Sequence, residues 1–113
     1  ILRDVDEHYF KPIAVFFPPS IDIARDKFGN DRVHMAYSMY EPPFHYFPWY
    51  ACYDVNGWEV AEQSIDTVNT NSFWNYPIIA VGPSGKVHIV YSWATAEWMR
   101  TLMYVRGTPG DVQ

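Results

Sequence analysis

The chain has 113 residues, of which 49% are hydrophobic and 19% aromatic, so it holds enough apolar material for one folded domain. Its formal net charge is −5, with 8 basic against 13 acidic residues and no basic cluster, which argues against a nucleic-acid partner bound through its phosphates. No apolar run is long enough to predict a membrane span, and the single cysteine, Cys52, cannot form an internal disulfide.

The first half of the chain predicts a series of short strands. Residues 11–17 form an apolar segment that Pro18-Pro19 ends. Further strands are expected at about 20–25, 32–39, 49–54 and 58–65, where β-branched and aromatic residues cluster between turn signals. The Asn56-Gly57 pair before the last of them is a strong hairpin signal.

The second half repeats this pattern. A strand at 77–81, a Gly-Pro-Ser-Gly turn and a strand at 86–93 reproduce the earlier hairpin, and a strand at 99–105 follows. The segment Val33 to Ser38 matches Val87 to Ser92, and a weaker match pairs Tyr53 with Tyr104. A period of about 50 residues made of short strands is typical of propeller blades.

The repeat therefore predicts an all-β fold of two antiparallel four-stranded β-propeller blades. Residues 1–17 are assigned to an N-terminal arm and closing strand, residues 18–66 to the first blade, and residues 67–113 to the second blade and a C-terminal tail. The second copy lacks an obvious fourth strand, so Lys11 to Phe17, from this chain or a neighbouring copy, is expected beside its third. Because a ring needs about four to eight blades, oligomerisation or a longer chain must complete it.

Two stretches resemble the sialidase-like, BNR-type β-propeller repeats: Tyr53 to Val60, which reads Tyr-x-x-x-x-Gly-Trp-x-Val, and Pro77 to Tyr91. The resemblance covers roughly residues 20–106. The strict Asp-box Ser-x-Asp-x-Gly-x-x-Trp is not met, because Cys52 replaces its serine and two residues separate Asp54 from Gly57. In size and aromatic content the chain is similar to small lectins whose two-blade chains trimerise into six-bladed sugar-binding propellers.

A ligand site is expected on one face of such a propeller, where the connections at 39–48, 66–76 and 93–98 are aromatic and the opposite turns are short. Aromatic rings stack on sugar C–H groups while nearby polar groups bind the hydroxyls. For each ring, packing over the blades or in a subunit interface is the alternative, and for Asp22 it is capping a turn. The candidate ligand-binding residues are Tyr40, Glu41, His45, Tyr46, Trp74, Trp93, Glu97 and Trp98, with Asp22 on an inner strand.

The sequence assigns no catalytic residue, metal site or cofactor. His34 and His88 recur at the same strand position, which favours packing and a satisfied hydrogen bond over a metal or acid–base pair. Glu41 and Glu97 lie on two equivalent connections and are the one candidate carboxylate pair of the glycosidase kind. The motifs of phosphate loops, zinc proteases and serine hydrolases are missing.

These observations favour a non-catalytic β-propeller binding module for a glycan or other small polar ligand, in an extracellular or cell-surface setting. Its expected protein partner is another copy of the chain, or a partner chain that completes the propeller. Two alternatives remain open from the sequence. One is a fragment or subunit of a propeller enzyme acting on glycans, and the other is a structural component of an extracellular assembly.

Overall fold

The computed structural model describes residues 19–41, 45–66, 76–96 and 99–113, and these residues form only strands and turns. The part of the chain that is described therefore contains no helix able to cross a membrane. The all-β prediction is confirmed. The strands are β1 (Ser20–Arg25), β2 (Asp31–Glu41), β3 (His45–Asp54), β4 (Glu59–Ser64), β5 (Ile78–Val81), β6 (Val87–Ala96), β7 (Met99–Thr108) and β8 (Asp111–Val112).

The strands form two four-stranded antiparallel sheets, also as predicted. Sheet 1 has the order β1-β2-β3-β4 and sheet 2 the order β5-β6-β7-β8, so each sheet is a meander of consecutive hairpins. The turn from β5 to β6 shows why the hairpins form where they do. Gly85 has a φ of 82°, which glycine adopts without steric cost, and its N–H donates to the carbonyl of Gly82 at 2.9 Å.

The long aromatic connection expected at 39–48 is wrong. β2 continues to Glu41 and β3 begins at His45, with these two residues opposite each other. The same extension occurs in sheet 2, where β6 reaches Ala96 and β7 begins at Met99. Tyrosine, phenylalanine and tryptophan favour extended backbone and pair across strands, so the aromatic residues lengthen the ladder instead of forming a loop.

The expectation that the second copy lacks its own fourth strand is also wrong. β8 occupies that place, and the backbones of Arg106 and Gln113 exchange two hydrogen bonds of 3.1 and 3.0 Å beside it. Gly107 permits this close pairing, because a β-carbon at this position would overlap the carbonyl oxygen of Asp111. Lys11 to Phe17, the expected donor, lies outside the described residues.

The pairing registers correct the alignment of the two copies. His34 lies opposite Cys52, and His88 lies opposite Arg106. With the histidines matched, Tyr50 corresponds to Tyr104, whereas the sequence match had paired Tyr53 with Tyr104. The equivalence of Tyr50 and Tyr104 is recognised in the structure because each contacts the histidine of the neighbouring strand.

The main core lies between the sheets. Side chains alternate along each strand, so every second residue of a sheet faces the other sheet. The buried members of this core are Ala36, Tyr50 and Cys52 from sheet 1 and Ile79, Val87, Ile89, Tyr91 and Val112 from sheet 2. A second buried cluster, Met35, Tyr37, Ala51 and Tyr53, lies on the opposite face of sheet 1.

Polar side chains of sheet 1 bind the backbone of sheet 2 at both edges of this core. At the edge formed by the first strands, β5 lies beside β1. There Ser20 Oγ accepts the N–H of Ile79 at 3.1 Å, and Asp22 Oδ2 accepts the N–H of Val81 at 2.7 Å. At the edge formed by the fourth strands, β4 and β8, the Gln63 amide accepts the N–H of Val112 and donates to its carbonyl, both at 2.9 Å. These contacts place first strand beside first strand and fourth beside fourth.

Candidate ligand-binding cleft

A cleft of about 380 Å³ opens between the two sheets at the end where the β1–β2, β5–β6 and β7–β8 turns lie. Its volume falls in the range of about 300–1,000 Å³ that is typical of small-molecule sites. We call it the intersheet cleft. Sheet 1 lines it with Asp26, Lys27, Phe28, Arg32, His34, Cys52 and Val60, and sheet 2 with Ser84, Gly85, Thr108 and Pro109.

The rim on sheet 1 is a turn organised by Asp26. Its Oδ1 accepts the backbone N–H groups of Phe28 and Asn30, each at 2.9 Å, so the carboxylate replaces the ladder where the chain reverses. The hydrogen bond from Asn30 is the main reason that the pKa of Asp26 lies below its usual value. This rigid turn holds the Phe28 ring 76% exposed beside the cleft.

The charged groups of the rim are partly neutralised by local contacts. Arg32 Nη2 lies 3.3 Å from Asp26 Oδ2, and both side chains are largely sheltered from solvent. Lys27 Nζ lies 5.2 Å from the centre of the Phe28 ring, which is a cation–π contact. The rim therefore presents an aromatic face next to a carboxylate and a guanidinium group.

The inner wall of the cleft is a buried, hydrogen-bonded group of side chains. His34 Nδ1 lies 2.8 Å from the Tyr50 hydroxyl, and the two rings stack with centroids 6.0 Å apart. Burial lowers the pKa of His34, against the Asp22 carboxylate, which raises it. Burial also raises the pKa of the Cys52 thiol. The histidine is thus held neutral and the cysteine is held as a thiol.

The candidate residues from the sequence lie mostly at the other end of the sheets. Glu41 and His45 form the last pair of the β2–β3 ladder, Tyr40 pairs with Tyr46, and Trp93 pairs with Thr101 on β7. Tyr46 is buried, with 7% of its surface exposed. Trp74, Glu97 and Trp98 lie outside the described residues, so a ligand site at that end stays a prediction.

Asp22 lies on β1, at the sheet edge predicted for it, and its carboxylate binds the N–H of Val81. Its register places it opposite His34, where Ala80 stands opposite His88 in sheet 2. The acid is therefore peculiar to the first copy, where it joins the two sheets. Its role as a ligand-binding residue stays a prediction.

Sequence reasoning did not single out Phe28, Arg32 or Asp26 as site residues. One available signal was Phe28 itself, a large aromatic residue in an otherwise polar turn between two strands. The contribution of Ser84 and Thr108 was not visible in the sequence, because the cleft exists only where the two sheets meet.

Comparisons with protein families, curated proteins and solved structures found no match to this chain. Within the described ranges, no group of three or more histidine, cysteine, aspartate or glutamate side chains is placed to hold a metal ion. The geometry of the cleft is therefore the main guide to function.

Proposed function

We propose that this chain is a non-catalytic binding module that holds a carbohydrate, or a similar small polar ligand, in the intersheet cleft. The observation that carries the proposal is the exposed Phe28 ring beside the Asp26–Arg32 pair at the rim of a cavity of about 380 Å³. Such a rim offers an apolar face for sugar C–H groups and both acceptors and donors for hydroxyls.

Binding without catalysis fits the state of the reactive groups. A cysteine nucleophile must be a thiolate, yet burial raises the pKa of Cys52. His34 shares a hydrogen bond with Tyr50, and burial raises the pKa of that hydroxyl too. These groups favour their neutral forms near neutral pH, which suits a wall that shapes a pocket.

The two sheets are proposed to be blades of a β-propeller. Support comes from the repeated meander, from the inner strands β1 and β5 lying side by side, and from Gln63 of the fourth strand binding Val112 of the other. Two blades do not close a ring, so further copies or a longer chain would complete it. The proposal also includes an extracellular or cell-surface location for the chain, in keeping with a glycan ligand.

Calorimetric titration of the chain with a panel of mono- and disaccharides tests the proposal. Phe28→Ala should weaken binding by about tenfold or more, because the stacking face is lost. Val55→Ala is the matched control, since Val55 is similarly exposed in the β3–β4 turn and does not line the cleft.

Two results would count against the cleft. If no sugar binds at millimolar concentration, the carbohydrate assignment is wrong. If binding is lost in Trp74→Ala or Trp98→Ala and kept in Phe28→Ala, the ligand occupies the site predicted from the sequence and not the intersheet cleft. Circular dichroism of each variant shows that the fold is retained.

A further inference from the structure

The outer face of sheet 2, which points away from sheet 1, carries several exposed apolar side chains. We define this face by Ile78, Ala80, His88, Val90, Leu102 and Tyr104, which alternate with the core residues of β5, β6 and β7. Ile78 is 63% exposed, Leu102 75% and Tyr104 53%. Ile78 on β5 and the two β7 residues lie on either side of β6, and exposed apolar side chains grouped on one sheet face are commonly covered by a protein partner.

The repeat shows what covers the same face in sheet 1. Tyr50 corresponds to Tyr104 and Ala36 to Val90, and both sheet 1 residues are fully buried against sheet 2. The same His–Tyr pair occurs on both faces, buried as His34–Tyr50 and exposed as His88–Tyr104. The two equivalent surfaces thus differ in burial: that of sheet 1 is buried against sheet 2, and that of sheet 2 is exposed.

The chain also carries the other half of such a contact. In the interface between the sheets, β5 lies against β1 and β2 and brings Ile79 and Val81 into the core. Their counterparts by register are Ile21 and Ile23 on β1. These two side chains are 53% and 65% exposed, so the β1 part of this second half is accessible among the described residues.

We propose that a second copy of this chain docks head to tail, with its Ile21 and Ile23 against the outer face of sheet 2. The contact is confined to β1 on that side, because the neighbouring Met35 and Tyr37 are already buried within one chain. The contact joins different surfaces, so it is heterologous and closes into a ring if the rotation permits. Four to eight blades correspond to about two to four copies.

The second copy also completes a second cleft. An open cavity of about 570 Å³ on sheet 2 is lined partly by Lys86 and Arg106. Lys86 stands two residues before His88, as Arg32 stands before His34, and Arg106 lies opposite His88, as Cys52 lies opposite His34. This cavity matches the sheet 1 side of the intersheet cleft, and the Asp26–Asn30 turn of the second copy supplies the absent wall.

The inference depends on the blade arrangement proposed above and is independent of the ligand. The solution mass of the chain, measured by light scattering or sedimentation without any sugar, is the first readout. The expected mass at high concentration is about two to four times 13.2 kDa. Failure of sugar binding leaves this result unchanged, so the two proposals fail separately.

Two variants, Ile78→Glu and Ile23→Glu, test the direction of the contact. Each blocks one half of it at an exposed position, so each variant alone should be a monomer. Mixed together they should form a dimer and nothing larger, because each contributes the half that the other lacks. Ile78→Ser is the matched control and should assemble, since Ser20 occupies the equivalent position in the internal interface.

Specific outcomes overturn the proposal. A wild-type chain that stays monomeric up to millimolar concentration excludes it. Assembly that Ile23→Glu does not affect would mean that two outer faces of sheet 2 meet each other. If Ile78→Glu fails to fold by circular dichroism, Leu102→Glu on the same face gives the same test, since Leu102 is 75% exposed.

Discussion

His34 Nδ1 and the hydroxyl of Tyr50 lie 2.8 Å apart in the core, and His88 and Tyr104 repeat this hydrogen bond at 2.6 Å on an exposed face. In both sheets the bond joins the second strand to the third, and in both the rings stack with centroids 6.0 Å apart. The pair is therefore a cross-strand contact of the repeat unit itself. Only its surroundings differ between the copies.

That difference predicts unequal effects of removing the two hydroxyls. Tyr50→Phe leaves a buried imidazole nitrogen without its partner and should lower the free energy of unfolding by about 1–3 kcal/mol. Tyr104→Phe should cost less than about 0.5 kcal/mol in the monomer, because water replaces the lost partner. Urea denaturation at low protein concentration measures both, and equal losses would show that burial does not decide the strength of the bond.

His34 should also make stability depend on pH. Its pKa in the folded chain is lowered by burial, so below about pH 6.5 the unfolded chain takes up this proton more readily than the folded chain. The contribution of neutral His34 to the free energy of unfolding is complete above that pH. It is lost as the pH falls through the lowered pKa. The slope reaches at most about 1.4 kcal/mol per pH unit.

Chemical denaturation between pH 8 and pH 5 measures that slope. His34→Gln should flatten the profile in this window. Asp26 acts in a different window, because its pKa is lowered chiefly by the hydrogen bond from Asn30, and its contribution is lost only as the pH falls below about 3.8. A wild-type slope in His34→Gln would assign the effect to another group.

The hydrogen bonds of Gln63 join the β4 edge of sheet 1 to the β8 edge of sheet 2. Its amide both donates to and accepts from the backbone of Val112, as a neighbouring strand would. Gln63→Glu keeps the shape but loses the donor and faces the Val112 carbonyl with a negative charge, so stability should fall by about 1–3 kcal/mol. Gln113→Ala, which removes an exposed side-chain hydrogen bond to Asp111, should cost less than about 0.5 kcal/mol.

Local signals explain why the strands and short turns were predictable. The glycine at 85 and the strand-forming run at Val87 to Tyr91 mark a hairpin that depends on neighbouring residues only. The stretch 39–48 was predicted to be a loop, whereas β2 reaches Glu41 and β3 begins at His45, so most of it continues the ladder.

Contacts between the sheets were beyond the reach of the sequence. The cleft joins Phe28 and Arg32 of one sheet to Ser84 and Thr108 of the other, residues that are distant along the chain. The fourth strand of sheet 2 is only two residues long, too short for a period of alternating side chains to show. Its position depends on Gln63 and Gly107, which act through the folded structure.

Tyr37 carries a buried hydroxyl whose removal should stabilise the chain. Its side chain is 2% exposed, and the hydroxyl has no hydrogen-bond partner in the described structure. Burial raises the pKa of this group, with Glu62 adding to the effect, so the hydroxyl stays protonated and its donor goes unused. Tyr37→Phe keeps the ring and should raise the free energy of unfolding by about 1 kcal/mol. Tyr91→Phe is the matched control, because the Tyr91 hydroxyl donates to Asp66 at 2.5 Å, and it should lower stability by about 1–2 kcal/mol. Thermal denaturation of both variants decides the matter, and a Tyr37→Phe chain that melts earlier than wild type would mean that this hydroxyl is hydrogen-bonded in solution.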